Sequence, residues 1–129
     1  MALDSANPFS QPSALPFGIP DFGGIRDEHY QPAAIEGMAE HLRELAAIAA
    51  DPAAPTVANV IEAWERAGQL LTRAANAFWT KQPADTNPVL DDAEAALAAA
   101  SAAHADAIYL NRALYDRLVA LDERARAGE

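Results

Sequence analysis

The sequence predicts an all-α protein in which an extended, Pro-rich N-terminal strap (residues 1–26) is followed by about four antiparallel helices within residues 27–129. Three observations carry that prediction. Pro8, Pro12, Pro16 and Pro20 recur every four residues and exclude helix from the strap. Apolar residues then repeat at three- and four-residue intervals in segments bounded by proline and by capping residues. Finally, 33 of the 129 residues are alanine, the strongest helix former, so the core is expected to be thin.

The strap reads NPFSQPSALPFGIPDFGGI from Asn7 to Ile25. Each proline removes a backbone donor and drives its predecessor extended. Phe9, Leu15, Phe17, Ile19, Phe22 and Ile25 are too many large apolar side chains for a disordered linker. They predict a strap laid over a hydrophobic surface, with room for part of that surface to belong to protein outside this chain.

The first helix is expected at about 28–50, with Asp27 as N-cap and Pro32 in its first turns. Ile35, Met38, Leu42, Leu45 and Ile48 make one buried stripe, with Glu36, Glu40, Arg43 and Glu44 outside it. Asp51-Pro52 and Pro55 end it. Thr56 caps a second helix at about 57–80, whose face carries Val57, Val60, Ile61, Trp64, Leu71, Ala75 and Phe78, with Glu62 and Arg66 paired on the wet side. Gly37 and Gly68 sit inside these helices at about 1 kcal/mol each against alanine, so close packing between helices is the expected compensation.

Asn87-Pro88 restarts the chain as N-cap and N1. A single helix from there would run about 40 residues and about 60 Å, too long for this domain. A break near Tyr109 to Asn111 divides it into helices at about 88–109 and 112–126, with Asn111 as a fresh cap and Leu114, Leu118 and Leu121 as the last stripe. The ten alanines between Ala93 and Ala107 are read as a closely packed helix.

Composition restricts function. Nine Lys and Arg against 19 Asp and Glu give a net charge of −10, which opposes binding to nucleic acid or to an anionic membrane. With no cysteine, disulfides and thiolate zinc sites are excluded. No run of about 18 apolar residues spans a bilayer. The opening MALDSANPFSQ lacks the cationic and apolar regions of a signal peptide, so the cytoplasm is the expected compartment.

No catalytic, cofactor-binding or metal-binding residue can be assigned. His29, His41 and His104 have no histidine partner at helical spacing, there is no HExxH, and the residues three before them, Arg26, Met38 and Ser101, exclude the Glu-x-x-His scheme of di-iron bundles. Glu40, His41 and Glu44 could hold a surface ion but read more simply as a solvated acidic face; His104 reads as a partly buried helix histidine. The Glu36, Glu40, Glu44 ladder lacks the burying pocket that separates an acid from a base. Ser5, Ser10, Ser13 and Ser101 have no evident base, and Trp64, Phe78 and Trp79 read as core rather than as a stacking platform.

The strings NPF (7–9), LPF (15–17), DEHYQPAAIEGMAEHLRELAAIAADPAAPTVANVIEAWERAGQLLTR (27–73), ADTNPVL (84–90) and AAHADAIYLNRALYDRLVAL (102–121) together resemble the N-terminal region of bacterial peptidyl-dipeptidases, of the thimet oligopeptidase and oligopeptidase A family of zinc metallopeptidases. PT-x-x-N, with I-E-A after it, is the most telling string. The resemblance implies a larger helical metallopeptidase fold with a deep channel that admits short peptides. In that family zinc is held by the two histidines of HExxH and a downstream glutamate, and its peptidyl-dipeptidase branch removes C-terminal dipeptides. None of those catalytic positions falls on a residue of this sequence, so the catalytic zinc domain is absent. The implied role is a non-catalytic N-terminal part of the wall around the substrate channel. Its partners would be the remainder of the parent peptidase and, through it, short peptide substrates. Zinc would be the parent's cofactor, with none in this chain. The alternative is a stand-alone helical interaction module without peptidase activity. As an isolated fragment the chain is expected to expose apolar patches and to self-associate.

Overall fold

The computed structural model describes residues 2–128, and it is all-α: no strand occurs among them. Helix α1 spans Tyr30–Ala50, α2 Ala63–Arg66, α3 Gln69–Lys81, α4 Pro88–Tyr109 and α5 Arg112–Ala127. Helix α1 is central and packs against α3, α4 and α5. No helix among the described residues is long and apolar enough to cross a membrane.

Local chemistry sets the boundaries. Asn87 Oδ1 accepts from the amides of Val89 and Leu90, with Pro88 in the first turn, and so starts α4. Asn111 Oδ1 accepts from Leu114 N at 3.0 Å and starts α5 after a break at Leu110, as the sequence predicts. Helix α1 stops at Ala50 because Asp51, preceding Pro52, is extended.

Several sequence expectations need correction. Asp27 does not cap α1: residues Asp27–His29 form a separate 3-10 turn, in which His29 Nδ1 accepts from Arg26 N at 3.0 Å, while the Asp27 carboxylate accepts from Asn87 Nδ2. The strap is not extended throughout, since Pro8–Ser10 is a single 3-10 turn and Pro16–Gly18 is a tight turn with Phe17 and Gly18 left-handed, each with proline in its first position. The helix expected at 57–80 is interrupted. A π-helical turn over Val57–Glu62, held by reciprocal Thr56 and Asn59 side-chain bonds, leads into α2; Ala67 is then extended and Gly68 left-handed at φ 73° before α3 begins. Each interruption resets the helical phase, so Val57 and Ile61 are exposed whereas Leu70, Ala74 and Ala77 are buried. Lastly, most of the alanines between 93 and 107 face solvent, because α4 covers α1 with one face only; Ala93 and Leu97 are its buried residues there.

The core is divided along α1. The larger cluster joins Phe9 and Ile25 of the strap to Tyr30, Ala34 and Met38 of α1, Ala74 and Phe78 of α3, and Leu90 and Leu97 of α4. The smaller one joins Leu45 and Ile48 of α1 to Leu114 of α5, with Trp64 and Ile108 against it. The strap is fastened by Asn7 Nδ2 donating to the His29 carbonyl at 3.0 Å and by Arg73 Nη2 donating to the Phe9 carbonyl at 3.2 Å. At the other end Arg117 donates to the Asp51 carboxylate and to the Ala53 carbonyl, tying α5 to the turn after α1.

The glycine expectation holds for Gly37. An added Cβ would lie 2.6 Å from Leu71 N and 2.7 Å from Leu71 Cα, so glycine is what lets α3 approach α1. Gly68 differs from the expectation of a mid-helix residue. It needs both its positive φ and the space beside the His41 ring, whose Cγ would lie 3.0 Å from a Cβ.

Tyr30 is fully buried between Phe9 and Phe78, and its hydroxyl has no hydrogen-bond partner. Burial also pushes the phenol's pKa up. Tyr30→Phe removes an unsatisfied buried polar atom while keeping the ring, so it is expected to leave stability unchanged or raise it by about 1 kcal/mol in urea unfolding. A loss larger than that would show that the hydroxyl is satisfied in solution.

Candidate functional site

The sequence offers histidines far apart, and folding brings two of them together. His41, on α1 between Met38 and Leu45, meets His104, on α4 one turn before Ile108, with Nδ1 of the first 3.2 Å from Nε2 of the second. The rings are 5.1 Å apart and tilted by 40°. The pair therefore lies at the junction of the two apolar clusters. One of the facing nitrogens must carry the proton and the other accept it, so the contact tolerates two neutral rings or one cation, never two.

Gly68 and Glu44 complete the surroundings. The left-handed break at Gly68 makes room for the His41 ring, and Gly68 N donates to Glu44 Oε2 at 2.6 Å, a charge-assisted bond that anchors the start of α3 on α1. Burial pushes the His41 pKa below the ordinary histidine value, against a weaker upward pull from Glu44. Burial and the neighbouring His41 ring lower that of His104. Both imidazoles are thus favoured in the neutral form at pH 7.

With both folded-state values depressed, the unfolded chain takes up protons just below pH 6.5 that the folded chain refuses. Stability from the pair is full above that pH and declines as the pH falls through the window. Glu28 and Glu36, held low by Arg26 and Arg43, respond separately, below about pH 4.5. We expect the midpoint of thermal unfolding to fall between pH 7.5 and 5.5, and a double His41→Gln, His104→Gln variant to lose most of that fall. An equal fall in the double variant would sink the assignment.

The remaining sequence candidates stay apart. His29 is a buried capping residue. The Glu36, Glu40, Glu44 ladder is not a row of free carboxylates: Glu36 is paired with Arg43 at 2.8 Å and Glu44 holds Gly68 N. Phe78 is core, as expected, and Trp64 packs against the smaller cluster, but Trp79 is half exposed, edge-on to Phe78 at 4.9 Å. Ser13 Oγ donates to the Ile19 carbonyl at 2.6 Å and organises a turn. A cavity of about 410 Å³ lies between the strap and α3, lined by Phe9, Pro12, Leu15, Ile25 and Arg73 among others; of its polar lining, Ser13 Oγ donates to the Ile19 carbonyl and Asp21 Oδ1 accepts from Gly24 N.

Zinc, which the family resemblance implies, does not fit this donor set. Among the described residues no three His, Asp or Glu side chains converge to hold a metal, the two adjacent imidazoles bond each other, and Glu44 is engaged by a backbone amide.

No family model matches the chain. Over 122 residues, 95% of its length, it is 39% identical to the dipeptidyl carboxypeptidase of Escherichia coli (strain K12). Over 117 residues, 91% of its length, it is 40% identical to the dipeptidyl carboxypeptidase of Salmonella typhimurium (strain LT2). The chain spans about 18% and 17% of these relatives. An all-helical chain of this kind is thus related in sequence, along nearly its whole length, to a segment of the bacterial dipeptidyl carboxypeptidases.

Proposed function

We propose that this chain supplies the non-catalytic, N-terminal helical part of a cytoplasmic zinc metallopeptidase that removes dipeptides from the C-termini of short peptides, and that its helices form part of the wall around the substrate channel. The observation that carries the reading is the 39–40% identity, over 91–95% of the chain, to proteins named for that activity. In this reading the metal and the peptide-cleaving residues lie in the remainder of the enzyme, and this chain contributes shape.

Two measurements test it. The purified chain, incubated with zinc and a short unblocked peptide, should release no dipeptide. A chimera in which this chain replaces the matched residues of the E. coli dipeptidyl carboxypeptidase should release dipeptides. Metal-dependent cleavage by the chain alone, or a folded but inactive chimera, would overturn the reading.

A further inference from the structure

Beyond its place in a channel wall, the strap carries a feature its own fold does not use. Phe17 is fully exposed, at 101% of its reference area, and it is the only residue other than glycine with a positive φ among those described. It sits at φ 61° and ψ 14°, and Gly18 after it is also left-handed at φ 67°. Two successive left-handed residues mark a primed turn, where Asn and Gly are favoured and a bulky aromatic is strained. The turn is nevertheless firmly built. Ile19 N donates to the Pro16 carbonyl at 3.4 Å and closes it, Gly18 N donates to the Leu15 carbonyl at 3.0 Å in the overlapping turn before it, Leu15 N donates to Ser13 Oγ, and Ser13 Oγ reaches across to the Ile19 carbonyl.

A strained backbone that holds an aromatic ring wholly in water gains nothing from within the chain. Leu15, Ile19 and Phe22 around it are also exposed, and residues 12–20 carry no charge in a chain whose net charge is −10. Rigid presentation of a fully exposed aromatic amid other exposed apolar side chains is the pattern of an interface anchor. The occupant follows from length: more than four fifths of the E. coli relative lies outside the matched segment.

We infer that the Pro16–Gly18 turn is a docking anchor, with Phe17 inserting into an apolar pocket on the catalytic remainder of the peptidase. The inference rests on the function proposed above and adds to it the point of attachment.

The first arm of the test uses the chain by itself. Phe17→Asn, which suits the left-handed region, should raise the folding equilibrium constant about threefold to tenfold. A fall of threefold or more would show that Phe17 supports its own fold and would overturn the inference. The second arm exploits the absence of cysteine. An Ile19→Cys thiol, next to an intact Phe17, should react with a maleimide in the isolated chain at nearly the rate of the unfolded chain. In the active E. coli chimera it should react at least tenfold more slowly. Full reactivity in an active chimera overturns the inference. Concentration-dependent protection in the isolated chain, with none in the chimera, overturns it in favour of a second copy as occupant. A folded but inactive chimera overturns the peptidase reading on which the inference rests, whereas an unprotected thiol in an active chimera overturns the anchor and leaves that reading standing.

Discussion

Phe78→Ala should be the most damaging single truncation, with an expected loss of about 3–5 kcal/mol. Phe78 is completely buried on α3, where it meets Tyr30 edge-on at 5.9 Å, beside the strap's Phe9 on the far side of Tyr30. Its ring is the place where α1, α3 and the strap share one core. Ala33, Ala34, Ala74, Ala77 and Ala93 belong to the same cluster and have no rotamers with which to refill the space, so the cavity collapses poorly. A domain of this size has about 5–15 kcal/mol of stability in all. The variant should therefore unfold at a much lower urea concentration and lose the strap's protection from proteolysis. A loss under about 1 kcal/mol would mean that the aromatic trio does not hold the chain together.

Gly37→Ala tests the helix contact itself. On propensity alone alanine should stabilise α1 by about 1 kcal/mol. Sterics oppose that gain, because the new methyl would stand 2.6 and 2.7 Å from backbone atoms of Leu71, which cannot rotate away. Relief requires α3 to move off α1, which loosens the larger cluster on both sides. The net expectation is a destabilisation of about 2–3 kcal/mol, from overpacking less the propensity gain. Urea unfolding of the variant reads the sign directly, and a more stable Gly37→Ala protein would remove the close α1–α3 contact from the account.

What is legible in the sequence is local. The caps Asn87, Asn111 and Thr56 are readable because each acts on amides two or three residues away. The break after Tyr109 is readable because an uninterrupted helix would be too long. Ile35 does not join the buried stripe expected of it, because the buried face of α1 is defined by Ala33, Ala34 and Gly37, whose small size draws α3 in, while Ile35 is 42% exposed. A stripe from Val57 to Phe78 requires one continuous helical phase, which the π-helical turn and Gly68 both interrupt. His41 and His104 lie 63 residues apart, so no spacing rule joins them; the available signal is that each occupies an inward phase of its helix. The family relationship is legible in the order of many short strings, and it is borne out by identity across nearly the whole chain.

The division of apolar residues along α1 makes the molecule modular. Everything beyond Leu110 leans on one end of a shared beam, through Leu114 and the Arg117 clamp, whereas the strap, α3 and the first half of α4 lean on the other. A chain shortened from its C-terminal side would uncover the smaller cluster, Leu45 and Ile48 with Trp64 and Ile108, and keep its larger half assembled, whereas one shortened from the opposite side would lose the keystone ring of Phe9 and with it the seat of Tyr30.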